Sequence, residues 1–254
     1  MHRTLRVIFM VALMISSAGT RAGSLEASRD TPYFVDLFVT FATEDEMTTA
    51  LATSGDNREV TLKAAVYYWM KAVLHIENIR KNKASLDKAQ ALAEKLWKTD
   101  RKDNRATMVL ADIYMSQCAA MDMSKLDELI ANVNKAQSLL NILVARLPEN
   151  MDARLGRTQI NMGLTPQTGR PDAVILADAA VFMSGFQKLP ATEKENPYFR
   201  MGMAQIKLAV VMVELDRGRR AEAARVFGEI EKDVIPAHLS DEYQSCAKRI
   251  GKSP

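Results

Sequence analysis

The stretch DNREVTLKAAVYYWMKAVLHIENIR, residues 56–80, decides how the rest of the chain reads. Asp56 followed three residues later by Glu59 has the form of a capping box, which satisfies backbone donors at a helix start. Leu62, Val66, Trp69, Val73 and Ile76 then recur at intervals of three and four, with Ala65, Ala72 and Ile79 alongside. That spacing lays one apolar stripe along a helix and predicts a long helix to about Arg80.

The same grammar continues in both directions. Ser85 is placed to cap a helix whose inner face is Leu86, Ala89, Ala93, Leu96 and Trp97. Asp103 opens another, with Leu110, Ala111 and Tyr114 on one face, and Ser124-x-x-Asp127 opens one that runs to Leu147 and stops at Pro148. Further helices are expected at about 150–162, 172–188, 197–216, 219–234 and 240–250, with Asn196-Pro197 and Ser240-Asp241-Glu242 as start signals. Upstream, Thr43 before Glu44, Asp45 and Glu46 starts a short helix that Gly55 ends. Earlier still, Thr31-Pro32 reads as a cap, and Phe34, Phe38 and Phe41 follow at helical spacing. Val35, Leu37, Val39 and Phe41 also alternate as a strand would; helix is preferred because everything downstream is helical. No proline occurs between Pro32 and Pro148, too little punctuation for a sheet protein. The fold class is therefore all-α. Amphipathic helices joined by short polar turns pack as antiparallel pairs, and a chain made of such pairs stacks as a solenoid.

Charge and the first residues bear on compartment. The chain has 254 residues, with 34 Lys and Arg against 31 Asp and Glu. Arg3, Arg6 and Arg21 lie in the first 22 residues, which hold no acid, so the remainder is balanced at 31 of each. This gives no basis for a nucleic-acid partner. Residues 1–22 read as a secretory signal: two arginines, the apolar run Val7–Ile15, then small residues that allow cleavage near Ala18 or Ala22. Nine apolar residues span only about 14 Å as a helix, short of the roughly 30 Å bilayer core, so no transmembrane segment is expected in the mature form. The signal places the mature chain in a periplasmic or secreted location. Since none of the asparagines is followed by x-Ser/Thr, the reading leans to a bacterial periplasm rather than a glycosylating pathway. The organisation expected is a signal at 1–22, flanking helices at 23–55 and a helical repeat domain at 56–254.

Several spacings resemble the tetratricopeptide pattern. Ala136-x3-Leu140-x2-Leu143-x4-Pro148 looks like the second helix of such a repeat with its closing proline, and Leu110-Ala111-x2-Tyr114 looks like first-helix core, with Thr107 where the family often has Trp. Ala223-x3-Phe227-x2-Ile230 matches again, with Pro236 one position late. Phe182 and Pro190 keep the aromatic-to-proline spacing, while Asp178 and Gly185 depart from the family's small apolar residues. Pro148, Pro190 and Pro236 are 42 and 46 residues apart, longer than the family's unit of 34. The resemblance implies a right-handed α-α superhelix of stacked antiparallel pairs, a protein or peptide partner on its concave face, and no catalytic, cofactor or metal site.

The residues themselves point the same way. His75 lacks a second histidine four residues on, and His238 has no ligand partner nearby, so helical zinc-protease spacing is missing. No G-x-S-x-G elbow, phosphate-loop pattern or Glu-Ser dipeptide of the lytic transglycosylases occurs. Pairs such as Glu44/Glu46 and Asp127/Glu128 sit at helix starts, where the dipole accounts for them. Cys118 and Cys246 are an even pair in an oxidising compartment, yet a solenoid separates them by several layers, against a bridge. Met115, Cys118, Met121 and Met123, and Met201-x-Met203, hold soft sulfur that suits Cu(I); core filling is the preferred role. Arg217-Gly218-Arg219-Arg220 and the trio Lys98, Arg101 and Lys102 read as solvated turns, and the loop 163–171 as an accommodated insertion rather than the flank of a groove. The expectation is an exported, non-enzymatic scaffold or adaptor, with a periplasmic helical binding protein for a small ligand as the alternative.

Overall fold

The computed structural model describes residues 41–73, 79–122, 124–164, 169–235 and 239–251. The expected signal at 1–22, the helix or strand over 31–40, His75, Ile76, Met123, Pro236 and His238 lie outside the described residues. Among those described there are eleven α-helices, one short 3-10 turn and no strand, so the chain is all-α. They fall into two compact units that divide between Pro148 and Glu149.

The first unit contains α1 (Glu44–Thr53), α2 (Arg58–Val73), α3 (Lys83–Thr99), α4 (Asn104–Ala120) and α5 (Leu126–Arg146). The contacts give the helix directions. Asp56 pairs with Lys95, and Lys88 lies over the Tyr68 ring, so α2 and α3 run antiparallel. Asp87 meets Gln117 while Glu94 meets Tyr114, making α3 and α4 antiparallel too. Helices α4 and α5 pair in the same sense, with Cys118 against Leu129 and Lys135 over Tyr114. The first helices of the two pairs, α2 and α4, run parallel: Arg58 reaches Asp103, Glu59 reaches Arg105, and the Trp69 indole donates to Ser116 at 2.9 Å. Leu62, Ala65, Val66, Trp69, Ala111, Tyr114, Ala136, Leu140 and Leu143 are all buried, as the stripes require.

The second unit repeats this plan with α6 (Met151–Met162), α7 (Asp172–Lys188), α8 (Ala191–Lys194), α9 (Pro197–Asp216), α10 (Arg220–Phe227), the 3-10 turn Lys232–Val234 and α11 (Ser240–Ile250). Helix α7 packs on both α6 and α9, and α9 packs on α6, α10 and α11. Again the two first helices, α6 and α9, run parallel, with Asp152 joined to Tyr198 and Gln159 to Gln205.

The helix starts expose a period that the prolines conceal. Asn57, Asp103, Asn150 and Asn196 each accept a backbone N–H of the first turn, at 3.0, 3.0, 2.9 and 3.0 Å. They open α2, α4, α6 and α9 at intervals of 46, 47 and 46 residues. The letters follow: Asn150-x2-Ala153-Arg154-Leu155-Gly156-x2-Gln159-Ile160 recurs as Asn196-x2-Phe199-Arg200-Met201-Gly202-x2-Gln205-Ile206. In the second helices of the first two pairs, Lys88-Ala89-Gln90 recurs as Lys135-Ala136-Gln137. The chain thus carries four helix pairs in one register.

Some expected boundaries move. The cap of α2 is Asn57, whose Oδ1 accepts from the Glu59 and Val60 N–H groups, while Asp56 pairs with Lys95 at 2.9 Å. Ser85 and Ser124 cap nothing: α3 already starts at Lys83, and Ser124 sits in a turn where its N–H meets Asp122 at 2.9 Å. The helix expected over 219–234 ends at Phe227, with Gly228 beyond it and a separate 3-10 turn. Thr43 and Gly55 behave as expected: Thr43 accepts from Glu46, and Gly55 takes a φ of +59° that other residues rarely adopt.

Candidate functional site

The parallel first helices of the second unit carry the most specific arrangement of side chains. Asn150 starts α6 and Asn196-Pro197 starts α9, so residues 46 apart stand side by side. Near the helix starts the Tyr198 hydroxyl donates to buried Asp152 at 2.6 Å. Two turns further, the Gln159 amide donates to the Gln205 carbonyl oxygen at 2.6 Å. Beside that amide pair lies a small, partly open pocket with room for little more than a water molecule. Leu155, Thr158, Gln159 and Met162 line it from α6, Gln205, Leu208, Ala209 and Met212 from α9, and Leu239 closes one side.

The walls are apolar apart from Thr158 and the two glutamines, and among the described residues no ionisable side chain lines them. The Thr158 hydroxyl and the Gln205 amide nitrogen are buried without a hydrogen-bond partner. An unpartnered buried polar group costs about 1–3 kcal/mol, so these two atoms weigh against the free protein's stability.

A second feature lies between α6 and α7. Asp178 is fully buried on α7 and receives Arg154 at 2.6 Å and both Nε and Nη2 of Arg157 at 2.8 and 2.7 Å. In the matching positions of α5 and α10 stand Ala136 and Ala223. The departure from the tetratricopeptide pattern at Asp178 is therefore a buried ion cluster supplied by the paired helix. Gly185 departs for a different reason: a Cβ there would lie 2.8 Å from the Met151 sulfur.

The remaining candidates have packing roles. In the loop 163–171, residues 165–168 lie outside the described set; its far end is held by buried Arg170, which meets Asp172 at 2.7 Å and Asp216 at 3.0 Å. The basic turn at 217–220 is used internally: Arg217 pairs with Asp172, Arg219 with Glu214, and Arg220 donates to the Ile250 carbonyl. In the other basic turn, Lys98 pairs with Glu94 and Arg101 lies over the Trp97 ring. Cys118 and Cys246 are free, buried thiols, one in each unit; burial pushes both up to about 12, so they stay protonated near neutral pH. Met115 is core, and the Met121 sulfur faces the Asn132 amide at 3.8 Å. Met201 and Met203 project about 200° apart on α9 and do not converge.

In the first unit the α3–α4 seam is polar, with Lys83, Asp87, Gln90, Glu94, Tyr114 and Gln117 joined by hydrogen bonds. Burial pushes Asp87 and Glu94 up, but the hydrogen bonds they accept outweigh it and hold both below their ordinary values. Burial and the neighbouring Glu94 raise Tyr114.

Thr158, Gln159, Gln205 and Asp178 carry no catalytic or metal motif; Asp178 stands out in the sequence as a departure from the tetratricopeptide pattern, and the other three only through the 46-residue register. No family model, curated protein or solved structure matches the chain. Among the described residues no helix is long and apolar enough to cross a membrane.

Proposed function

We propose that this chain is an exported, non-enzymatic scaffold of tetratricopeptide-like helix pairs, which binds a protein or peptide on the face presented by its first helices. The carrying observation is the parallel ladder of first helices, seen once in each unit at an offset of 45–47 residues. In repeats built this way the first helices line the groove and the second helices pack behind them; here α4 and α6 would offer a partner only half-buried positions such as Asp112 and Met162. The export part of the reading rests on Arg3, Arg6 and the apolar run Val7–Ile15. The test is in-cell crosslinking followed by mapping of the linked residues. Links from one stable partner should concentrate on α2, α4, α6 and α9; links confined to α3, α5 and α7 would remove the proposal.

A second reading, a binding protein for a small molecule, is prompted by the apolar pocket between α6 and α9, which has room for little more than a water molecule and would have to open to take a ligand. Native mass spectrometry of the gently purified protein separates the two: a co-purifying small-molecule adduct supports the second reading, and a bare mass counts against it.

A further inference from the structure

We infer that α9 and α10 form an acceptor for an amphipathic helix, and that α11 fills it in place of a helix of the same pattern carried by a partner. The inference rests on the scaffold reading and adds the kind of partner.

Three observations carry it. The first is the way α11 is seated. Tyr243, Cys246, Ala247 and Ile250 fall at i, i+3, i+4 and i+7 and make its apolar stripe. That stripe faces inwards. Cys246, Ala247 and Ile250 are buried, and the Tyr243 ring stacks on Phe227 of α10 with centroids 4.6 Å apart. This is the anchor spacing by which a groove takes up a helix.

The second is polar matching at the end of the seat. Asp216, the last residue of α9, receives Arg249 at 2.7 Å. Arg220 of α10 donates to the Ile250 carbonyl at 2.8 Å, which satisfies a carbonyl left over at the negative end of the α11 dipole. Asp216 is also held by buried Arg170 at 3.0 Å, so it stays in place when no helix is docked. A Cβ at Gly251 would lie 2.8 Å from Nη2 of Arg220, so the seat suits a helix that stops at glycine. The acceptor therefore selects an aromatic, two small residues and an aliphatic on one stripe, with a base in the last turn.

The third is what holds α11. It packs on α9 and α10, and its outward positions Asp241, Gln244, Ser245, Lys248 and Arg249 are exposed. Helices α2, α4, α6 and α9 each have the second helix of their own pair against them. A short helix held on one side, through a stripe of which two members are small, belongs with the segments that open before the body unfolds.

The chain carries its own reporters. Cys246 lies beneath α11 and Cys118 in the core of the first unit, at 2% and 0% exposure. Alkylation of the native full chain, read by peptide mapping, should modify Cys246 at least about tenfold faster than Cys118. Tyr243→Ala should speed Cys246 by about another tenfold, and Arg249→Ala by less, with Cys118 unchanged in both. The binding probe is a peptide of residues 239–251 carrying Cys246→Ala, set against a scrambled peptide of the same composition. It should bind the Tyr243→Ala protein about tenfold more tightly than the wild type, because the acceptor is free more often, and the scrambled peptide should not bind. Equal labelling of Cys246 and Cys118 in all three proteins overturns the inference. So does a peptide that binds none of them, or a scrambled peptide that binds equally well. The in-cell crosslinking judges the scaffold reading separately, since the peptide experiment needs no native partner.

Discussion

Ala136 in α5 and Asp178 in α7 occupy the same place in their helix pairs, both fully buried, and the two units solve that place in opposite ways. In the first unit a methyl group lets the paired helices approach. In the second a carboxylate sits there, and α6 answers with Arg154 and Arg157 where α4 has Thr107 and Leu110. A second exchange accompanies it. Ala93 of α3 and Val109 of α4 stand where α7 and α9 have Phe182 and Gly202, so a small–large pair becomes a large–small one. At both places a change of size or charge in one helix is matched by a change in the helix packed against it.

The strongest way to break the comparison is Asp178→Ala, which gives α7 the residue of α5 but leaves two guanidiniums in a largely buried place. It should cost about 3–5 kcal/mol, read as a fall in the urea midpoint. Adding Arg154→Thr and Arg157→Leu, the residues of α4, should recover most of the loss. Failure of the triple variant to recover would mean that the cluster does more than replace packing.

Gly202→Ala comes next. Its Cβ would lie 2.9 Å from Cζ of the fully buried Phe182 ring and 3.3 Å from Leu155, which predicts a loss of about 1–3 kcal/mol by chemical denaturation. Gly185→Ala meets the more adaptable Met151 and should cost less, so a reversed order would contradict the packing described. Smaller again are the four caps. Asn57→Ala, Asp103→Ala, Asn150→Ala and Asn196→Ala should each cost about 1 kcal/mol, and near-equal values would show that the register has one energetic role in both units.

The smallest effect is the acid limb of stability in the first unit. Asp87 and Glu94 titrate below their ordinary values when folded, so their contribution is present above the unfolded carboxylate range near pH 4 and fades as pH falls through the folded values. The double substitution Asp87→Asn with Glu94→Gln removes both titrations and should flatten that limb in acid denaturation monitored by circular dichroism.

Much of the helical layout is legible in the letters. The stripes of α2 to α5 and the caps at Asp103 and Asn196 follow from apolar spacing and short polar side chains, which are local signals. The period is legible too, though in the caps rather than the prolines: Pro148 and Pro190 follow second helices, whose connecting lengths vary, whereas Asn57, Asp103, Asn150 and Asn196 open the helices that stand side by side. Asp56 and Ser85 show the limit of local reading. Both have a capping residue's chemistry, yet α2 is capped from Asn57 and α3 begins two residues before Ser85.

The sequence alone determined an all-α chain of amphipathic helices, because propensity, capping and stripe spacing act within a few residues. Only the tertiary structure decided that Gln159 meets Gln205, that Asp178 is enclosed by two arginines, and that Thr158 faces a pocket unpartnered. Those outcomes depend on which face of each helix is covered by another 20 to 46 residues away, and the free energy of a buried polar group is set by what lies opposite it rather than by its own place in the chain.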